Sequence, residues 1–117
     1  RVFYVGIAWG TVRHLGRWGH VANLVKHELA GTLKPEKAKD LAKTSNQVIA
    51  TLIKHGLPQH TVLVHWSGRG RDNARAIEKQ RIHQLAEAGA VLANAQENPR
   101  RTSLAEVLAY IGVDSAA

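Results

Sequence analysis

Four side chains, spread across the sequence, have the types that phosphate chemistry uses: Tyr4, Arg13, Arg17 and Glu78. Residues 2–6, Val-Phe-Tyr-Val-Gly, read as a strand rich in β-branched and aromatic residues. Alternation along a strand places Phe3, Val5 and Ile7 on one face and Val2, Tyr4, Gly6 and Ala8 on the other. Only small residues flank Tyr4 on its face, so its hydroxyl has open space in front of it. After Gly10, Thr11 is suited to cap a helix whose first turns carry Arg13 and Arg17. A guanidinium matches phosphate oxygens in a two-pronged hydrogen bond. A tyrosine on a strand, a glycine turn and arginines on the next helix therefore form a small phosphate-handling group.

Glu78 is conspicuous for a different reason. On a helix beginning near Asp72, residues advance ~100° each around the axis. Ala74, Ile77, Ile82, Leu85 and Gly89 then share one side, and Lys79, Gln80, His83, Gln84 and Glu87 the other. Glu78 projects into the middle of the apolar side, where a carboxylate is costly unless it is paired or bound to a metal. Arg81, one turn on, supplies the plain structural alternative, a Glu78–Arg81 ion pair. The functional reading is a carboxylate held on a rigid element to bind a divalent cation.

The elements that must position these groups fit into 117 residues, enough for one core. Hydrophobic residues make up 44%, a globular composition. There is no cysteine, which excludes disulfides and thiolate metal sites. No apolar run reaches the roughly 18 residues a membrane span needs, so no membrane association is expected, and no signal-peptide pattern is visible. The expected compartment is cytoplasmic. The net charge of +7 and pI of about 10.3 favour a polyanionic partner. Aromatic residues are only 5%, which favours reading a nucleic-acid backbone over stacking on bases.

Residues 11–30 are expected to be helical, with Gly16 and Gly19 marking a bend or loop between two pieces. Arg13, Arg17, His20 and His27 would share one stripe if the helix runs on, and Lys26 adds to the early basic charge. Pro35 opens the next helix, and Ala38, Leu41, Ala42, Ser45, Val48, Ile49, Leu52 and Ile53 repeat at helical spacing up to the stop at Gly56. Residues 61–66 read as a short strand. The following Ser-Gly-Arg-Gly-Arg segment, with Arg69 and Arg71, reads as either a linker or a DNA-backbone contact. Arg75 extends that basic group onto the helix capped by Asp72, which closes at Gly89. Residues 91–93 are a brief strand or extended segment. Ser103 to Glu106 form a capping box before a last apolar helix, 104–111.

Taken together, these pieces resemble the GIY-YIG nuclease family, most closely its branch related to the LEM-domain ankyrin-repeat nucleases. Val2 to Gly6 is similar to the Tyr-Ile/Val-Gly motif of the family's second strand. The arginine-bearing helix follows, then the glutamate helix, Ala74…Glu78…Ile82, then a Gly-x-x-Leu-x-Asn segment ending at Asn94. The resemblance covers most of residues 1–98 and implies an α/β (α+β) fold with a small sheet flanked by helices, residues 99–117 forming a helical extension. It implies Tyr4 as a catalytic tyrosine, Glu78 as the metal ligand and Asn94 as a supporting asparagine. Arg13 is the first choice for the arginine and Arg17 the second, and His20 matches a histidine that commonly follows. The sequence departs from the family in two ways: it begins after the family's first strand, and Ile7 stands where lysine is common.

The function expected from this resemblance is metal-dependent DNA endonuclease activity. Mg²⁺ (or Mn²⁺) would sit at Glu78, an arginine would hold the phosphate and Tyr4 would activate water. Lys26, Arg69, Arg71 and Arg75 would bind the DNA backbone. The absent first strand keeps a second reading open, a nucleic-acid-binding relative that does not cut. A protein–protein adaptor that docks through its apolar last helix is the third, and a homodimer is compatible with all of them.

Overall fold

The computed structural model describes residues 2–6, 16–57 and 70–113. Five helices account for 64% of these residues. They are α1 (Gly16–Ala30), α2 (Pro35–Leu41), α3 (Thr44–Lys54), α4 (Arg71–Glu87) and α5 (Leu104–Ile111). No strand occurs among the described residues, so the expected α/β architecture with a sheet flanked by helices is overturned. The expected strand at 61–66 lies outside the described residues. The expected strand at 2–6 is an extended segment without a ladder.

The physical reason is visible where residues 2–6 meet residues 91–94. The Ala93 amide donates to the Phe3 carbonyl at 2.6 Å. A ladder would continue with a second backbone pair. Here the Asn94 side chain supplies it: Oδ1 accepts from the Val5 amide at 3.0 Å, and Nδ2 donates to the Val5 carbonyl at 2.7 Å. One side-chain amide thus satisfies both backbone groups of Val5, and no sheet is needed to do so.

Two further expectations change. Gly19 marks no bend, because α1 runs unbroken through it. Burying Val21, Leu24 and Val25, at about 1.5–3 kcal/mol per large side chain, outweighs the ~1 kcal/mol that glycine costs a helix. The helix expected from Pro35 to Gly56 is two helices, α2 and α3, joined at Ala42 and Lys43. Lys43 is extended, with φ −60° and ψ 138°. Side chains of α3 replace the hydrogen bonds a continuous helix would have made: Asn46 Nδ2 donates to the Asp40 carbonyl at 2.8 Å, and Gln47 Nε2 to the Leu41 carbonyl at 2.7 Å. The apolar repeat passes over this break, although Ala38 and Ala42 end up exposed.

The ends of the other elements follow local rules. Ser103 and Glu106 make the expected reciprocal capping box on α5. Gly56 and Gly89 take left-handed conformations, φ 70° and 97°, just beyond α3 and α4. Gly70, and not Asp72, occupies the N-cap of α4; Asp72 lies in its first turn, where a carboxylate still favours the helix dipole.

Helix α3 divides the core. Ile49 and Ala50 pack with Val21, Leu24, Val25 and Leu41 on one side. Val48 packs with Ala93, Val107 and Leu108 on the other, so α5 shares a core cluster with α3. Phe3 packs against both clusters. That anchor holds the 2–6 segment against both clusters, with Tyr4 next to it in the chain. Among the described residues, no helix is long and apolar enough to cross a membrane.

Candidate functional site

Tyr4 is placed from both sides. Phe3 is anchored in the core, and Val5 is clamped by Asn94. The Tyr4 ring also folds over Gly6, where an added Cβ would lie 2.8 Å from Tyr4 Cε2. Only glycine leaves the ring that space. Above the ring lies Arg17, from the start of α1, its guanidinium carbon 4.6 Å from the ring centroid. That is within the range of a cation–π contact. The expected pairing of a tyrosine with an arginine is present, and among the described residues the arginine is Arg17. Arg13 lies outside the described residues.

A chain of hydrogen bonds runs back from Arg17. Its Nη1 donates to Asn46 Oδ1 at 2.9 Å. Asn46 Nδ2 is turned to Asp40, donating to its carbonyl and, at 3.4 Å, to its carboxylate. The Asp40 carboxylate meets His20 Nε2 at 2.5 Å and Lys43 Nζ at 3.1 Å. These bonds hold the Asp40 carboxyl below its ordinary value of 3.8, the His20 hydrogen bond first and the Lys43 hydrogen bond second, against a small desolvation cost. Tyr4, Arg17, Asn46, Asp40 and His20 thus form one connected group at the junction of α1, α2 and α3.

Glu78, on α4, lies within electrostatic reach of Arg17 and Tyr4 in this group. It is half-buried, on the side of α4 that carries Ile82, the helix's one buried residue at 1% exposure. The Glu78–Arg81 ion pair does not form; the ion pairs among the described residues include neither side chain. Burial raises the Glu78 carboxyl above its ordinary value of 4.5; Arg75 pulls it down, Glu97 pushes it up, and Arg17 pulls it down. Burial likewise raises the Tyr4 phenol above 10.0; Arg17 pulls it down, Glu78 pushes it up and Lys43 pulls it down. Tyr4, Arg17 and Glu78 are therefore within electrostatic reach of one another, although they come from three separate parts of the chain.

The remaining expected residues are spread more widely. Arg71 and Arg75 are exposed in the first turns of α4, and Arg75 acts on Glu78. Lys26 is exposed further along α1. Arg69 lies outside the described residues. Asn94 makes contact through Val5 and acts on the backbone beside Tyr4. Asn46, Asp40 and Lys43 were not singled out from the sequence. One signal was available for Asn46: it sits beside the apolar stripe of α3, in a position that proves 1% exposed, and a buried amide must find partners.

Comparison with known proteins adds no relative: no family model, no curated protein and no solved structure matches the chain.

Proposed function

We propose that the chain is a metal-dependent DNA endonuclease that hydrolyses phosphodiester bonds, in the manner of the GIY-YIG nucleases its motifs resemble. The observation that supports this reading best is the Arg17 guanidinium stacked on Tyr4, with the Glu78 carboxylate, which makes no ion pair with a described residue, in electrostatic reach of both. The net charge of +7 suits the polyanionic substrate.

Glu78 fits a hard divalent cation. Its carboxylate makes no ion pair with a described residue, and binding a cation would offset the burial that raises its pKa. Among the described residues no group of three or more His, Asp or Glu side chains gathers around a common point. A single carboxylate, with water and substrate phosphate in the remaining positions, matches Mg²⁺ (or Mn²⁺) better than zinc. When bound, the cation supplies charge neutralisation at the phosphate and at the leaving oxygen.

The chain's own residues do the rest. Arg17 holds a non-bridging phosphate oxygen with the N–H groups that Asn46 leaves free. His20 keeps Nε2 on Asp40 and offers Nδ1 to the substrate. Tyr4 accepts a hydrogen bond from the attacking water and aligns it. Burial favours the protonated phenol, so in the free protein Tyr4 orients the water without taking its proton. Tyr4 becomes a base where added positive charge at the site releases its phenol proton to solvent, and the phenolate then takes the proton of the attacking water. Water is the nucleophile, and the P–O bond to the leaving strand breaks as the new P–O bond forms.

The same raised phenol favours a second reading, a DNA-binding relative that does not cut. Conversion of supercoiled plasmid to nicked or linear form separates the two. Cutting with Mg²⁺ that stops in EDTA and in Glu78→Ala supports the nuclease. No cutting, with DNA retention that weakens steeply as salt rises, supports the binding module and overturns the nuclease reading.

A further inference from the structure

We infer that Asn46 is the positioning residue for Arg17: it fixes the guanidinium over Tyr4, and Asp40 fixes Asn46. The inference rests on the proposed reading only for its catalytic consequence. The placement itself stands on geometry.

Asn46 has one possible orientation in its surroundings. The Asp40 carbonyl and carboxylate are acceptors only, so the side of Asn46 that faces them must be Nδ2. Oδ1 is then turned toward α1, where Arg17 Nη1 meets it at 2.9 Å. Asn46 is 1% exposed and sits in the first turn of α3. It cannot swing away without leaving buried polar groups unpaired. Arg17 is exposed and flexible by type. The rigid partner therefore directs the mobile one. The break between α2 and α3 makes this possible: the Asp40 carbonyl accepts from the Lys43 amide at 3.2 Å and keeps room for the Asn46 amide at 2.8 Å. The deviation from a continuous helix and the placement of Arg17 have the same origin.

The group has a direction, and that direction can be tested without any catalytic assay. In the full chain, the Arg17 Hε resonance should be displaced by the ring current of Tyr4. Tyr4→Leu should abolish the displacement, and Arg17→Lys should remove the resonance and so identify it. In Asn46→Ser the resonance should move to its position in Tyr4→Leu while the helical circular dichroism is kept. An unmoved resonance in Asn46→Ser would overturn the inference. Arg17→Ala gives the converse, and its exposed site makes folding safe. Asn46 side-chain amide signals should stay in place there, because Asp40 holds them. If they shift to the values of a free amide, the direction is wrong and the inference falls, even if Asn46→Ser does not fold.

The catalytic consequence is read by single-turnover plasmid cleavage. Asn46→Ser should slow it by up to ~10²-fold, the scale of a misplaced substrate clamp. Adding Asn46→Ser to Arg17→Ala should cost nothing more, because the two act as one unit. An additive loss would overturn the assignment. If the resonances behave as expected while the wild-type protein does not cut, the nuclease reading has failed and the positioning role of Asn46 stands.

Discussion

The junction of α1, α2 and α3 and the middle of α4 treat their charged groups in opposite ways. At the junction, Asp40 is engaged by His20, Lys43 and Asn46, and its carboxyl is held below its ordinary value. On α4, Glu78 is more costly to ionise, has no ion-pair partner among the described residues, and sits above its ordinary value. The first carboxylate stabilises the fold. The second opposes it, and that is the condition on which the proposed cation site rests. The contrast also explains why the site combines rigid and open parts. Tyr4 and Arg17 are held by bonds reaching to Asn94 and Asn46, whereas Glu78 makes no ion pair with a described residue.

That comparison is broken most severely by Asn94→Ala. It removes both hydrogen bonds to the Val5 backbone and leaves partly buried groups unpaired. The expected loss is roughly 1–3 kcal/mol, read as a lower urea midpoint, together with loss of the Tyr4 ring current at Arg17. Retention of that ring current would show that Phe3 alone places Tyr4.

Glu78→Gln tests the other region with the opposite sign. The folded chain holds the Glu78 proton more tightly than the unfolded chain does. The stabilising effect of that protonated carboxyl is full below the ordinary value of 4.5 and is lost as pH rises through the raised value. Glutamine cannot ionise. Glu78→Gln should therefore melt above the wild-type protein at about pH 7 and near it at about pH 4, while losing Mg²⁺-dependent cutting. Equal melting at both pH values would mean that the carboxylate is not under strain.

Asp40→Asn should have the smallest effect, under about 1 kcal/mol, because the pairs it breaks are partly solvated. Here the lowered carboxyl stabilises the fold above 3.8. The contribution disappears as pH falls through the depressed folded value. The variant should be less stable near neutral pH, and the difference should close in acid. A gap that persists in acid would place the cause in packing instead of charge.

Where structure depends on near neighbours, residues could be read directly. The Ser103–Glu106 box and the glycine stops after α3 and α4 follow from contacts a few residues apart. The pairing of tyrosine and arginine was legible as a combination of types. The break at Ala42 and Lys43 was not, because Ser45, Val48 and Ile49 continue a helical repeat that a two-residue interruption does not disturb. Nor was the passage of α1 through Gly19, where burial outweighs propensity.

By itself, then, the sequence determined which segments could be helices, where most of them end, and which side chains carry usable chemistry, since each depends on local backbone preference and on residue type. Only the tertiary structure decided that Asn94 would complete the backbone of Val5 from 89 residues away. It also decided that Asn46 would meet Arg17 across 29. Both are side-chain amides that replace bonds a sheet or a continuous helix would have made. Which backbone groups lack partners is settled only once the helices have packed.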